Sequence, residues 1–117
     1  MVRVADFREL GGQLAMQELL DRFERPDAVF VANHLVTVGV LEAIAQAKLV
    51  IPANIAIVSF DDMPWAHLLK PPLTAVAQPA YDLGVESARL LLSRLDGYTG
   101  AAHTVTDPFV DPRVANC

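Results

Sequence analysis

Apolar positions along the chain follow two different rhythms. Two short runs, Ala28–Ala32 (AVFVA) and Ile55–Phe60 (IAIVSF), are apolar almost without interruption. Runs of this length without polar alternation fit strands covered on both faces, as in parallel sheets. Elsewhere the spacing is helical. Leu10, Leu14, Leu19, Leu20 and Phe23 predict a helix over Arg8–Phe23, its start weakened by Gly11 and Gly12. Val38, Leu41, Ala45 and Leu49 place one face of a second helix over Leu35–Leu49. Leu83, Ser87, Leu90, Leu91 and Arg94 mark a third over Tyr81–Leu95.

Punctuation between these segments is equally local in origin. Pro26 forbids continuation of the first helix. Asn33 can cap the second, because its side chain can accept from an orphan amide. Gly97 suits a left-handed turn after the third. Val2–Phe7 reads as a strand end and a loop, and Met63–Lys70 as a loop or a single helical turn. Leu73–Ala77 reads as a short strand or an extended crossing, and His103–Val110 as a last strand. Ala28–Phe60 is thus strand, helix, strand, which predicts parallel pairing through a right-handed crossover. A sheet of two or three strands with three helices is thin for an independent α/β domain, so the chain is expected to belong to something larger or to need a partner.

Composition narrows the class. The 117 residues are 53% hydrophobic and 20% charged, which fits a globular domain. A net charge of -5 argues against direct nucleic-acid binding and against a polybasic membrane surface. No apolar run reaches membrane-spanning length, and the N-terminus lacks the apolar core of a signal peptide, so the expected location is cytoplasmic. The single cysteine, Cys117, can form no internal disulfide.

Candidate chemistry concentrates at the two strand ends. Asp61-Asp62 follows the second strand, and three roles are open to it: acid–base or Mg²⁺ chemistry, a solvated turn, or hydrogen bonding to a ligand. Asn33-His34 follows the first strand. Ends of adjacent parallel strands lie about 5 Å apart, so Asn33 and Asp61 can face one crevice. An acceptor-only carboxylate beside a donor–acceptor amide suits the hydroxyls of a sugar or polyol. His34 is a general base or an ordinary cap-adjacent histidine. Phe7 stacks on a sugar face or packs beneath the first helix. Trp65, Leu68 and Leu69 fold back on the core or bury against another subunit. His34, His67 and His103 are too scattered for a zinc motif, and no glycine-rich phosphate loop or nucleophile elbow occurs. No cofactor and no metal is expected.

Three stretches carry a family resemblance: RPDAVFVANHLVTVGVLEAIAQAKLVIP, IPANIAIVSFDD and PPLTAVAQPAYDLGVESARLLLSRLDG. Together with ADF before the first helix, they resemble the effector-binding domain of lactose-repressor-type (LacI/GalR) transcriptional regulators, over about Asp6–Arg113. The resemblance implies a periplasmic-binding-protein-like α/β fold, a parallel sheet flanked by helices in three layers, with ligand held between two subdomains. By position, residues 1–77 resemble part of the C-terminal subdomain. Residues 78–103 resemble the returning helix and loop of the N-terminal one, and 104–117 a tail. Phe7, Asn33, Asp61 and Gln78 match effector-binding positions. Leu10, Val38, Leu41, Ala45, Trp65, Leu68 and Leu69 match a homodimer surface. Operator DNA would be reached only through a helix-turn-helix that this sequence does not contain. The implied effector is a sugar, nucleoside or purine, and the implied protein is not an enzyme. Two other readings are a periplasmic sugar-binding protein of the same fold and, remotely, a phosphoryl-transfer enzyme using Asp61 and Asp62. His34 departs from the pattern, where relatives usually carry aspartate.

Overall fold

A computed structural model describes residues 1–105, which form two compact units dividing between Ala77 and Gln78. The first contains α1 (Glu9–Leu20), β1 (Ala28–Val31), α2 (His34–Gln46), β2 (Ala56–Phe60), a single 3₁₀ turn (Ala66–Leu68) and β3 (Thr74–Val76). The second contains α3 (Ala80–Leu95). The strands form one sheet in the order β1-β2-β3, parallel throughout, with Val31 opposite Ser59 and Phe60 opposite Val76. The expected strand–helix–strand unit is therefore present, with parallel pairing.

The core lies on one side of this sheet. Val31, Ile57, Ser59 and Ala75 point to the same side and are buried. There Val31 and Ile57 join Val40, Ala43 and Ile44 of α2 and Met16 of α1 in one apolar cluster. The opposite side carries Phe30 and Phe60, whose rings meet edge to face at 6.5 Å. Phe30 is 62% exposed. β1 therefore alternates, although its apolar sequence predicts cover on both faces. Of the three expected layers, the first unit supplies the sheet and one helical layer.

α1 and α2 approach each other closely because two glycines permit it. A Cβ on Gly39 would collide with the backbone of Glu9 and Gln13, and one on Gly12 with the backbone of Val36. The helix-weakening effect expected of Gly12 is thus offset by a contact that no larger residue allows. α1 ends at Leu20, so Phe23 lies beyond it and is fully exposed, contrary to its expected place on the helix face. Its start is not helped by Arg8, which makes no side-chain cap; the Asp6 carboxylate instead accepts from the Arg8 amide at 3.2 Å. Residues 1–7 hold no strand, a second departure from expectation.

One polar pair is buried inside the apolar layer. The Thr37 hydroxyl donates to the Asn33 carbonyl at 2.7 Å and lies 3.0 Å from the Ser59 hydroxyl. The Thr37 proton is thereby committed, and the one Ser59 proton lies within reach of both Thr37 Oγ1 and the Phe60 carbonyl, the latter at 3.1 Å. Each hydroxyl is thereby satisfied, as burial demands.

α2 closes with a Schellman pattern. The Leu49 amide bonds to the Ile44 carbonyl at 3.1 Å and the Lys48 amide to the Ala45 carbonyl at 3.0 Å. Lys48 supplies the left-handed residue (φ 56) where glycine is commoner. In the second unit, α3 ends in the same motif with the expected glycine, Gly97 at φ 98. Tyr98 donates to Ser93 at 3.0 Å and Gly97 to Arg94 at 3.2 Å. No α3 residue is buried within the described residues. Residues 103–105 are not strand, and the rest of the last predicted strand, 106–110, lies outside the described residues with Cys117.

Two measurements check this packing. Gly39→Ala should destabilise the protein by about 1–3 kcal/mol in urea unfolding, because α1 must shift to make room. Thr37→Val and Ser59→Ala should each cost about 1–2 kcal/mol, and the double variant clearly less than their sum, since removing both partners leaves no orphan hydroxyl between them.

Candidate functional site

The C-terminal edge of the sheet brings the strand-end polar groups together. Extending the Val31–Ser59 register by two residues places Asn33 opposite Asp61. Asn33 has extended backbone (φ -159), and its Oδ1 accepts from the Val36 amide at 2.9 Å. It is therefore the α2 cap that the sequence predicts. That bond uses one of the two lone pairs of the amide oxygen, and the Nδ2 protons are donors that Asn33 can offer a ligand.

Asp61 is turned by its backbone. It sits at φ 78, in the left-handed region, and its amide donates to the Val76 carbonyl at 3.0 Å. Aspartate tolerates this conformation better than most residues, and the turn carries the chain out of the sheet. The side chain is a quarter exposed. Its Oδ2 lies 3.8 Å from Nδ1 of His34, the first residue of α2. The sequence presents His34 as a base or a bystander; the structure places it against the predicted ligand carboxylate. Register arithmetic from the two strand ends was the signal available for this meeting. Asp62 is exposed beyond it.

Phe7 lies at the same end of the helical layer, because the Gly12–Val36 and Gly39–Glu9 approaches set the starts of α1 and α2 side by side. It is 69% exposed, so packing beneath α1 is not its role. Its φ of 60 is a left-handed conformation that costs a bulky residue about 1–2 kcal/mol. Two of the three non-glycine residues with positive φ among those described, Phe7 and Asp61, are thus predicted ligand contacts. Gln78 opens the second unit, is exposed, and its carbonyl accepts from the Ala80 amide at 2.9 Å.

The predicted dimer residues divide by burial. Leu10 and Leu68 are exposed, at 64% and 69%, and Ala45 is exposed beside a half-buried Val38. Leu41, Trp65 and Leu69 are half-buried against the chain's own core. A shallow groove of about 250 Å³ on the second unit is lined by Leu90, Arg94, Tyr98 and His103. Its guanidinium is already committed to the carbonyls of Tyr98, Gly100 and Ala101.

Residues 2–114 match the model of the periplasmic binding protein-like domain. The chain belongs to that family. It is 41% identical over 90 residues to the ribose operon repressor of Escherichia coli K12, covering 77% of this chain and 27% of that protein. A LacI transcriptional regulator from Bacillus cereus subsp. cytotoxis superposes with a TM-score of 0.80 at 31% identity, over 88% of this chain and 36% of that one. A LacI-family regulator from Enterococcus faecium with bound ribose superposes with a TM-score of 0.69 at 32% identity, covering 83% of this chain and 36% of that one. The resemblance to LacI-type regulators is therefore upheld, and this periplasmic-binding-protein-like chain spans about a third or less of the relatives it matches. No helix among the described residues is long and apolar enough to cross a membrane.

The cap formed by Asn33 can be separated from its Nδ2 donors by substitution. Asn33→Ala should cost about 1 kcal/mol of stability through loss of the cap. Asn33→Ser should retain most of that stability while lacking the Nδ2 donors, as thermal unfolding of the two variants will register.

Proposed function

We propose that this chain is the ligand-sensing and dimerising part of a sugar- or nucleoside-responsive transcriptional regulator that works in the cytoplasm. The observation that carries this reading is that Asn33, an amide with Nδ2 donors, and Asp61, a carboxylate acceptor, follow the ends of two adjacent parallel strands. Open α/β sheets bind ligands at this edge, and the pair complements a hydroxyl that must both accept and donate. Phe7, held exposed in a strained conformation, offers a flat face for the apolar side of a sugar ring or for a base. Relatives whose names and structures report ribose support the same ligand class.

In this reading the exposed apolar positions Leu10, Ala45 and Leu68, with the outer parts of Val38, Leu41, Trp65 and Leu69, contact a second copy. Operator DNA is contacted by a helix-turn-helix elsewhere in the full-length protein. Effector binding controls that contact by linkage: the ligand favours one subdomain arrangement and shifts the hold on DNA by its differential affinity, typically 1–3 kcal/mol for such couplings. The chemistry called for is binding and release, and no bond of the effector is broken.

Calorimetry on the full-length gene product, with a panel of pentoses, hexoses, disaccharides and nucleosides, tests the reading. At least one should bind, and Asp61→Asn should weaken it about 10- to 100-fold, the loss of a charge-assisted hydrogen bond. Absence of binding across the panel, or full affinity in Asp61→Asn, would sink the proposal.

A further inference from the structure

We infer that Asp6 and Gly11 are positioning residues for Phe7, and that they hold it in the left-handed conformation in which the proposed site uses its ring. The inference rests on the reading of Phe7 as a ligand-stacking face. It starts from a glycine that the contact between helices does not explain. Gly12 and Gly39 make room for the backbone of the opposite helix, whereas Gly11 makes room for Asp6. A Cβ on Gly11 would collide with the Asp6 carboxylate and stand 3.0 Å from the Asp6 amide nitrogen. The third residue of α1 is thus a helix-weakening glycine whose side-chain space is taken by the residue at position 6. The chain ahead of α1 folds back onto the first turn of that helix, and Asp6 docks there.

Phe7 stands at the bend this docking makes. The Asp6 Oδ1 accepts from the Arg8 amide at 3.2 Å, so one hydrogen bond spans Phe7. An aspartate bonded to the amide two residues on imitates a backbone turn. The residue it encloses then takes the place of the second central turn residue, which has positive φ in a type II turn. Phe7 is at φ 60. Beyond it Arg8 is extended (φ -118), and its carbonyl opens the helix by accepting from the Gly12 amide at 3.0 Å. A bulky residue keeps a left-handed conformation only where its surroundings over-determine it. Phe7 is 69% exposed, so burial of its ring does not supply that hold, and the docked carboxylate of Asp6 does. Once released, Phe7 relaxes, and a ligand binds only the fraction of molecules still in the competent conformation, so its apparent affinity falls by that fraction.

The test uses the full-length gene product and four probes: ribose, glucose, galactose and adenosine. Asp6→Ala removes the acceptor, Asp6→Asn keeps an acceptor oxygen in its place, and Gly11→Ala drives the carboxylate off its seat. For the best-bound probe, Phe7→Leu should raise Kd about tenfold, and Asp6→Ala and Gly11→Ala about fivefold each. Asp6→Asn should stay within about twofold of the parent. In a Phe7→Leu background, Asp6→Ala should add less than about twofold, because its effect passes through the ring. An unchanged Kd in Asp6→Ala or Gly11→Ala, with Phe7→Leu weakened, overturns the positioning role and leaves Phe7 as a contact. Losses that multiply in the double variant, or no rescue by asparagine, also overturn it, by showing that Asp6 acts on affinity other than through Phe7. If no probe binds the parent, or Phe7→Leu binds normally, the underlying reading fails and the inference fails with it.

Discussion

The hydroxyl pair of Thr37 and Ser59 joins the start of α2 to the end of β2, and the candidate edge depends on that junction. Thr37 holds the Asn33 carbonyl while Asn33 caps the helix, so residues 33 to 37 form one closed set of hydrogen bonds. Ser59 ties that set to the strand that ends at Asp61. In an otherwise apolar layer, two buried hydroxyls satisfied by each other and by backbone fix which helical turn faces which strand residue. A slide of α2 along the sheet would orphan both, at about 1–3 kcal/mol each. The relation between Asn33 and Asp61 is therefore set by the core beneath them, and not by the loops.

A second constraint acts from the other side of α2. Gly12 and Gly39 let α1 sit against α2 with backbone nearly touching backbone. This brings the start of α1, and with it Phe7, to the same end of the layer as Asn33 and Asp61. Three residues far apart in sequence thus reach one edge through two packing rules: close helix approach where side chains are absent, and parallel strand register.

Much of this was legible in the sequence. The apolar runs gave the strands, Asn33 announced its cap, Gly97 announced the end of α3, and the two strand ends gave the candidate crevice. The extent of α1 was not legible, because Phe23 fits helical spacing yet follows a turn that nothing in its own identity marks. The one-sided burial of β1 was not legible either, because AVFVA has no polar residue to show which face is open. The role of Gly12 was hidden for a different reason. A glycine in a helix reads as weakness until the partner helix is known, and only then as the site of contact. Gly11 was hidden for the same cause, since the residue that fills its space precedes the helix.

Asn33 has a consequence for how such a sensor changes over time. Its oxygen closes the helix, so a substitution made here to alter what the proposed crevice recognises also loosens the scaffold.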